Sequence, residues 1–441
     1  GQERLWFVEQ LGLAGGSYNI SSAVRLVGQL DVAALSAALS EVVRRHEVLR
    51  TRFEPRGDRA VQLNDPTWAL ALDPVAASTQ EGRQRAEIIM QQRFELARDR
   101  LLRVALLQLA PDDHVLVLSM HHVVSDGWSM GVLVGELEQL YAAFAAGRPS
   151  PLPSLSIQYA DYAVWQRRWL AEAALQRQLG YWTAQLSGAP AGLELATDRP
   201  RPALPSFRGA VHRFTIDETR TAALSQLARA EGATLFMVLL AAFDIVLARW
   251  SGQDDVVVGT PIAGRSRAET ENLIGFFVNM LALRADLSGA PSFRQLLRRV
   301  KAVALDAYAQ QELPFEKLVE VLHPVRDLSR EPVFQVVFAL QNLPRRVGRM
   351  AGLAIAPFET GTVAAKFDLE LSMAEVDGGL QAALVYATDL FEANTIARLA
   401  DHVIRVLDGI VAEPDRPLRG LDLLSEAERR QLIRDWNDTA V

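Results

Sequence analysis

The 441-residue chain reads as a mixed α+β protein built in two halves. Three observations predict this. Stretches with strand character and stretches with helical spacing alternate along the whole chain, which rules out an all-helical or all-β fold. His114–Phe144 runs strand, tight turn, helix. The second half repeats that grammar after a proline-rich stretch, 187–205, holding Pro190, Pro200, Pro202 and Pro205. Proline-stiffened segments of this kind connect lobes, and a chain of this length holds two or three domains of ~100–200 residues or one bilobal unit.

Each element has a local reason. Asp31 is a good N-cap, and Val32, Leu35, Leu39, Val42 and Val43 then recur at helical spacing up to Arg44-Arg45-His46, where positive charge suits a helix C-terminus. Strands are expected at 49–53 and 60–63, either side of a polar turn at 55–58. His114–Met120 (HVLVLSM) is short and β-branched, hence a buried strand. After a turn at 124–127, Met130, Leu133, Val134, Leu137, Leu140, Tyr141 and Phe144 form one helical stripe, with Ser129 as its expected cap. A boundary is expected at 147–153. In the second half, helices are expected at 234–249, 293–309 and 393–411, and strands at 255–260, 333–340, 353–357, 367–373 and 380–386.

Composition removes several function classes. The formal net charge of −7 argues against a general nucleic-acid binder. No apolar run reaches the ~18 residues of a membrane span; the best, 233–243, stops at Asp244. Cysteine is absent, which excludes disulfides, Cys-ligated zinc and a cysteine nucleophile. Lysine occurs only at positions 301, 317 and 366, so arginine carries nearly all the positive charge, as in the products of GC-rich genomes. No signal-peptide or lipidation pattern stands out, and a cytoplasmic location is expected. The chain opens on Gly1-Gln2-Glu3-Arg4 without a Met and is expected to be a piece of a longer polypeptide.

The stretch most able to carry chemistry is His121-His122-Val123-Val124-Ser125-Asp126-Gly127, at the strand–turn–helix junction. Three readings are open: two histidines satisfied by hydrogen bonds in a core turn; a metal site using His122 and Asp126, for which the other histidines offer no ligand spacing; or acid–base catalysis by a histidine at a strand end. Strand alternation puts His122 on the face of Met120, Leu118 and Leu116 and His121 on the other, so the two have different jobs. Gly127 permits close backbone approach or a positive φ. No nucleophile elbow, phosphate loop or dinucleotide fingerprint occurs.

With these residues in view, the chain resembles the condensation domains of non-ribosomal peptide synthetases, in the chloramphenicol-acetyltransferase-like superfamily. The resemblance covers nearly the whole chain and rests on seven ordered motifs. Residues 2–7 (QERLWF) resemble the tail of the first, and 45–53 (RHEVLRTRF) match the second. Residues 120–129 (MHHVVSDGWS) contain the active-site signature HHxxxDG. Residues 159–165 (YADYAVW), 274–279 (IGFFVN), 310–316 (QQELPFE) and 326–332 (RDLSREP) resemble the fourth to seventh. Two positions depart from the family pattern. The sixth motif usually begins His/Asn-Gln-Asp where this chain has Gln310-Gln311-Glu312, and the fifth usually continues Asn-Thr where Met280 follows Asn279. Heterocyclization relatives replace the histidine pair with aspartates; here His121-His122 is intact, so amide formation is the expected reaction.

The resemblance implies two acetyltransferase-like α/β-sandwich lobes, residues 1–175 and 176–425, forming a V-shaped pseudo-dimer, with 426–441 starting a linker to an adenylation domain. Donor and acceptor substrates arrive as phosphopantetheine thioesters on peptidyl carrier domains, and the acceptor amine attacks the donor carbonyl. The domain itself is expected to bind no cofactor and no metal, and to be monomeric when excised. His122 is the residue expected to accept or hold the amine proton, and the Gly127 amide a candidate oxyanion donor. Asp126 is expected to hold the turn by pairing with an arginine of the second motif, Arg45 in preference to Arg50; His121 is structural. Trp128, Ser125, Asn279 and Gln310 are candidates for the substrate tunnel, whereas Phe276, Phe277 and Phe315 read as core. The expected subtype is an elongation domain joining L-configured donor and acceptor. The alternatives are a starter domain that N-acylates the first amino acid from acyl-coenzyme A or an acyl carrier, and a non-catalytic recruitment platform.

Overall fold

The computed structural model describes residues 1–10, 15–57, 59–170, 172–322, 327–341, 350–361 and 363–431. Arg326 of the seventh motif and most of the expected linker, 432–441, lie outside the described residues. The chain divides into two compact units. The first is 1–176 together with 262–279 and 343–362; the second is 177–261, 280–342 and 363–441. The lobes that the resemblance implies, 1–175 and 176–425, are continuous in sequence, whereas the contacts add two later stretches to the first unit.

The first unit is built on a five-stranded sheet in the order Ala354–Pro357, Asn19–Val27, Asp113–His121, Leu102–Ala110, Val75–Ala76. Asn19–Val27 pairs antiparallel with Asp113–His121, Asn19 opposite His121, and on its other edge takes up Ala354–Pro357. That edge strand is why 343–362 belongs with the first unit. Alternation divides the central strand. Leu116, Leu118 and Met120 enter the main core, which holds Leu35, Leu39 and Val42 of the helix Val32–Arg45 and Leu133, Leu137 and Leu140 of the helix Gly127–Ala145. Val115 and Val117 face a smaller core with Ala86 of the helix Thr79–Gln91.

The second unit carries a seven-stranded mixed sheet in the order Val363–Ala364, Arg208–Ile216, Gly379–Ala387, Leu369–Val376, Val336–Gln341, Asp255–Ile262, Asn279–Asp286. Its central helix, Leu235–Ser251, is buried at every position from Met237 to Ala248, a pattern expected of a helix surrounded by other elements. Thr234 caps it, and Gly252, in the left-handed region at φ 71°, ends it. The helices Glu218–Ala230, Phe293–Ala309 and Ala393–Ala412 pack against it. Among the described residues no single helix is long and apolar enough to cross a membrane.

Most expected elements lie within a few residues of where spacing put them. One correction concerns the strand expected at 49–53: Glu47–Arg50 is a 3-10 turn and the strand is Thr51–Arg56. A second concerns the cap of the signature helix. Asp126, not Ser129, is its N-cap, and the Asp126 carboxylate accepts from Ser129 N at 2.8 Å. A short carboxylate reaches the third helical amide, so the helix begins ahead of its expected cap.

Candidate active site

The strand Asp113–His121 delivers the signature histidines to its end. His122 N donates to Tyr18 O at 2.8 Å, and His122–Val124 then turn as a 3-10 helix before Asp126 starts the long helix. The Gln2 amide clamps this turn by donating to Val123 O at 2.7 Å.

The two histidines are held in opposite tautomers. His121 is 1% exposed, and its Nδ1 accepts from Val123 N at 3.0 Å. The proton is therefore on Nε2, which faces Glu9 Oε1 at 3.4 Å. Phe94 lies against the ring edge-on. His122 is only partly buried, and its Nδ1 lies 2.7 Å from Ser125 O. A carbonyl oxygen cannot donate, so Nδ1 carries a proton, and in the neutral ring Nε2 holds the lone pair. A histidine so oriented can accept a proton at Nε2. The ring of Phe276 lies edge-on to it, with centroids 5.0 Å apart and planes at 78°.

Asp126 is 1% exposed and fully engaged in structure. Its Oδ1 accepts from Ser129 N at 2.8 Å, Ser129 Oγ at 2.7 Å and Arg265 Nη2 at 3.3 Å. Its Oδ2 accepts from Phe277 N at 2.9 Å and Val278 N at 3.1 Å. The expectation that Asp126 holds the turn through an arginine names the right bond and the wrong partner. Arg45 is committed elsewhere: its Nη2 lies 3.0 Å from Glu136 Oε1 and its Nη1 donates to Pro153 O at 2.8 Å. At the end of the helix Val32–Arg45 its side chain meets the middle of the signature helix, well past the Asp126 cap. The partner of Asp126 is Arg265, which also donates to Leu273 O at 2.8 Å, to Thr270 O and to Ser129 Oγ at 2.8 Å, and lies over the Phe277 ring. Burial pulls the Arg265 guanidinium below its ordinary value, and the Asp126 charge opposes that shift.

Arg265 and Phe276 both lie in 262–279, the stretch that joins the first unit from the second half of the chain. Side chains of the first unit hold its backbone residue by residue. His46 Nδ1 accepts from Ile274 N at 3.3 Å, Ser129 Oγ accepts from Gly275 N at 3.0 Å and lies 2.9 Å from Gly275 O, and Tyr159 Oη donates to Phe276 O at 2.8 Å. A Cβ on Gly275 would lie 2.1 Å from the Tyr159 ring, so only glycine fits there.

The other residues singled out by sequence are spread more widely. Gly127 is exposed, has no positive φ and would meet nothing with an added Cβ, so its conformation does not demand glycine. As first residue of its helix it offers an N–H with no intrahelical acceptor. Ser125 is fully buried and contributes its carbonyl to His122. Trp128 donates from Nε1 to Glu271 O at 2.8 Å. Asn279 begins the strand Asn279–Asp286. Gln310 ends the helix Phe293–Ala309 in the second unit, where its carbonyl accepts from Trp182 Nε1 at 3.1 Å. Among the described residues no group of three or more His, Asp, Glu or Cys could hold a metal ion.

Comparison with known proteins agrees with this architecture. The condensation-domain family model matches residues 1–433, and the chain belongs to that family, the amide-forming acyltransferases of non-ribosomal peptide synthetases. It is 48% identical over 449 residues to a linear gramicidin synthase protein of Brevibacillus parabrevis, and 43% identical over 449 residues to chondramide synthase of Chondromyces crocatus. All of this chain is covered in both, but it spans only 6% and 11% of those proteins. Among solved structures, the X-domain from teicoplanin biosynthesis superposes with a TM-score of 0.88 at 33% identity, covering 96% of both chains. The first condensation domain of the calcium-dependent antibiotic synthetase superposes with a TM-score of 0.77 at 23% identity, covering 96% of this chain and 98% of that one, a likeness of fold.

Proposed function

We propose that this domain joins a donor acyl or peptidyl thioester to the amine of an aminoacyl thioester held on an acceptor carrier, as an elongation domain for L-configured partners. The single observation that carries the catalytic reading is the 2.7 Å bond from His122 Nδ1 to Ser125 O, which puts a proton on Nδ1 and, in the neutral ring, the basic lone pair on Nε2. The acceptor amine attacks the donor carbonyl, the C–N bond forms, and the amine proton passes to His122 Nε2. The oxyanion takes a hydrogen bond from the Gly127 amide at the helix N-terminus. Collapse breaks the C–S bond, and the proton returns to the departing thiolate. Because a thioester is already activated, bringing amine and carbonyl together supplies much of the rate, and the histidine adds typically ~10²–10⁴-fold.

The likeness to several linear gramicidin synthase proteins supports a place in peptide assembly, where phosphopantetheine-bearing carrier domains and an adenylation domain would be its partners. A cytoplasmic location goes with the same reading. One observation favours a second reading: the teicoplanin X-domain, at 33% identity, forms a complex with OxyB, so this fold can also serve to recruit a protein. The intact His121-His122-Val-Val-Ser-Asp126-Gly127 signature favours catalysis.

Intact-protein mass spectrometry of an aminoacyl-loaded acceptor carrier tests the proposal. A mass gain that requires an aminoacyl donor carrier and is lost with His122→Ala is the expected result. A gain from fatty acyl-coenzyme A would instead make this a starter domain, and silence with both donors would favour recruitment.

A further inference from the structure

We propose that Phe276 is a positioning residue for the His122 imidazole, a role that rests on the catalytic reading of His122 given above. Sequence pattern reads Phe276 and Phe277 as core; Phe277 is buried in it, and Phe276 packs at its edge. Phe277 is 4% exposed and packs on Tyr159 and Tyr162, with centroids 5.0 and 4.7 Å away. Phe276 is only partly buried and turns its ring to His122, 5.0 Å away and nearly perpendicular.

The backbone that carries the ring is held on both sides. Ser129 Oγ engages Gly275 N and O, Tyr159 Oη donates to Phe276 O, and Asp126 Oδ2 accepts from Phe277 N and Val278 N. Ser129, Tyr159 and Asp126 are all buried. The carboxylate that caps the helix behind His122 thus also holds the backbone next to the residue whose ring lies beside it.

Two contacts of the imidazole act on it together. The bond from Nδ1 to Ser125 O fixes one ring atom and the tautomer. The χ2 well of a histidine is broad, so the ring can still tilt over the range that keeps this bond. An edge-on aromatic neighbour limits that tilt, and with it the direction of the Nε2 lone pair. A proton acceptor misaimed by about 1 Å loses on the order of 10²-fold in rate.

The test uses the whole domain with loaded donor and acceptor carriers, and the variants Phe276→Ala, Phe276→Leu and Phe276→Tyr. We expect Phe276→Ala to lower kcat by roughly 10- to 100-fold, with KM for the acceptor carrier within about twofold and the variant still cooperatively folded, at a melting temperature lowered by the loss of a ring that packs on the core. Phe276→Tyr, which keeps the ring, should restore kcat. An independent readout comes from histidine-labelled protein by NMR. The His122 ring signals, assigned by their loss in His122→Ala, should shift in Phe276→Leu through loss of the ring current, while those of the other histidines stay in place. Unimpaired kcat in folded Phe276→Ala alongside an inactive His122→Ala would overturn this proposal and leave the functional reading standing. If His122→Ala itself keeps the wild-type rate, the functional reading has failed and the positioning role falls with it, whatever the NMR shows of the contact. Equal loss in Phe276→Ala and Phe276→Tyr, or unmoved His122 signals in Phe276→Leu, also overturns it.

Discussion

His121 and His122 are neighbours of one residue type with opposite surroundings. One ring accepts at Nδ1 from a backbone amide and is enclosed; the other donates at Nδ1 to a carbonyl and stays partly open. The same contrast explains Asp126. A carboxylate that already accepts from Ser129, Arg265, Phe277 and Val278 has no capacity left for substrate. Asp126→Asn replaces one acceptor oxygen with a donor that must face either the Arg265 guanidinium or the amides of Phe277 and Val278. It leaves a buried cation unpaired, so a loss of about 3 kcal/mol in unfolding free energy is expected. Urea denaturation measures this, and activity should fall in step with stability. An unchanged midpoint with lost activity would instead assign Asp126 to the chemistry.

The signature helix is anchored at two levels. At its start Asp126 binds the 262–279 stretch. Halfway along, Glu136 meets Arg45 at 3.0 Å and His46 Nε2 at 2.9 Å, tying it to the helix Val32–Arg45. Through Nδ1, His46 carries the tie on to Ile274 N. Burial pushes the Glu136 carboxyl up, but hydrogen bonds and charge from His46 and Arg45 outweigh that and hold it below its ordinary value of 4.5. A folded pKa below the unfolded one means that the unfolded state binds the proton more readily. The stability from ionised Glu136 is therefore present above about pH 4.5 and lost as the pH falls through the lower, folded value. The gap in melting temperature between wild type and Glu136→Gln should be widest near neutrality and narrow below pH 4.5. A gap independent of pH would contradict this assignment.

Each unit is assembled from separated stretches of chain. The first lacks an edge strand without Ala354–Pro357, and lacks the partner of its buried Asp126 without Arg265. Residues 1–176 expressed alone should consequently fail to give a cooperative unfolding transition and dispersed amide resonances, although they contain the complete HHxxxDG signature. A folded, stable 1–176 fragment would show that the later stretches are dispensable for the fold. The same discontinuity makes single-cut domain boundaries a poor guide to truncation of this protein.

Much of this was legible in the chain. Helical stripes and strand alternation depend on neighbours two to four positions apart, so the strand Asp113–His121 and the helix after it followed from local pattern; the strand ends at His121, so alternation does not set the facing of His122. Ordered motifs identified the family and singled out His122. What local pattern could not supply was the partner of Asp126, because Arg265 lies 139 residues away in a loop with no periodicity. The same holds for the division of labour between Phe276 and Phe277, identical side chains that differ only in which ring the fold turns toward His122. Spacing encodes contacts within an element. Pairings between distant elements arise only when packing brings their backbones together, and the tautomers, the true arginine and the ring beside His122 are all of that kind.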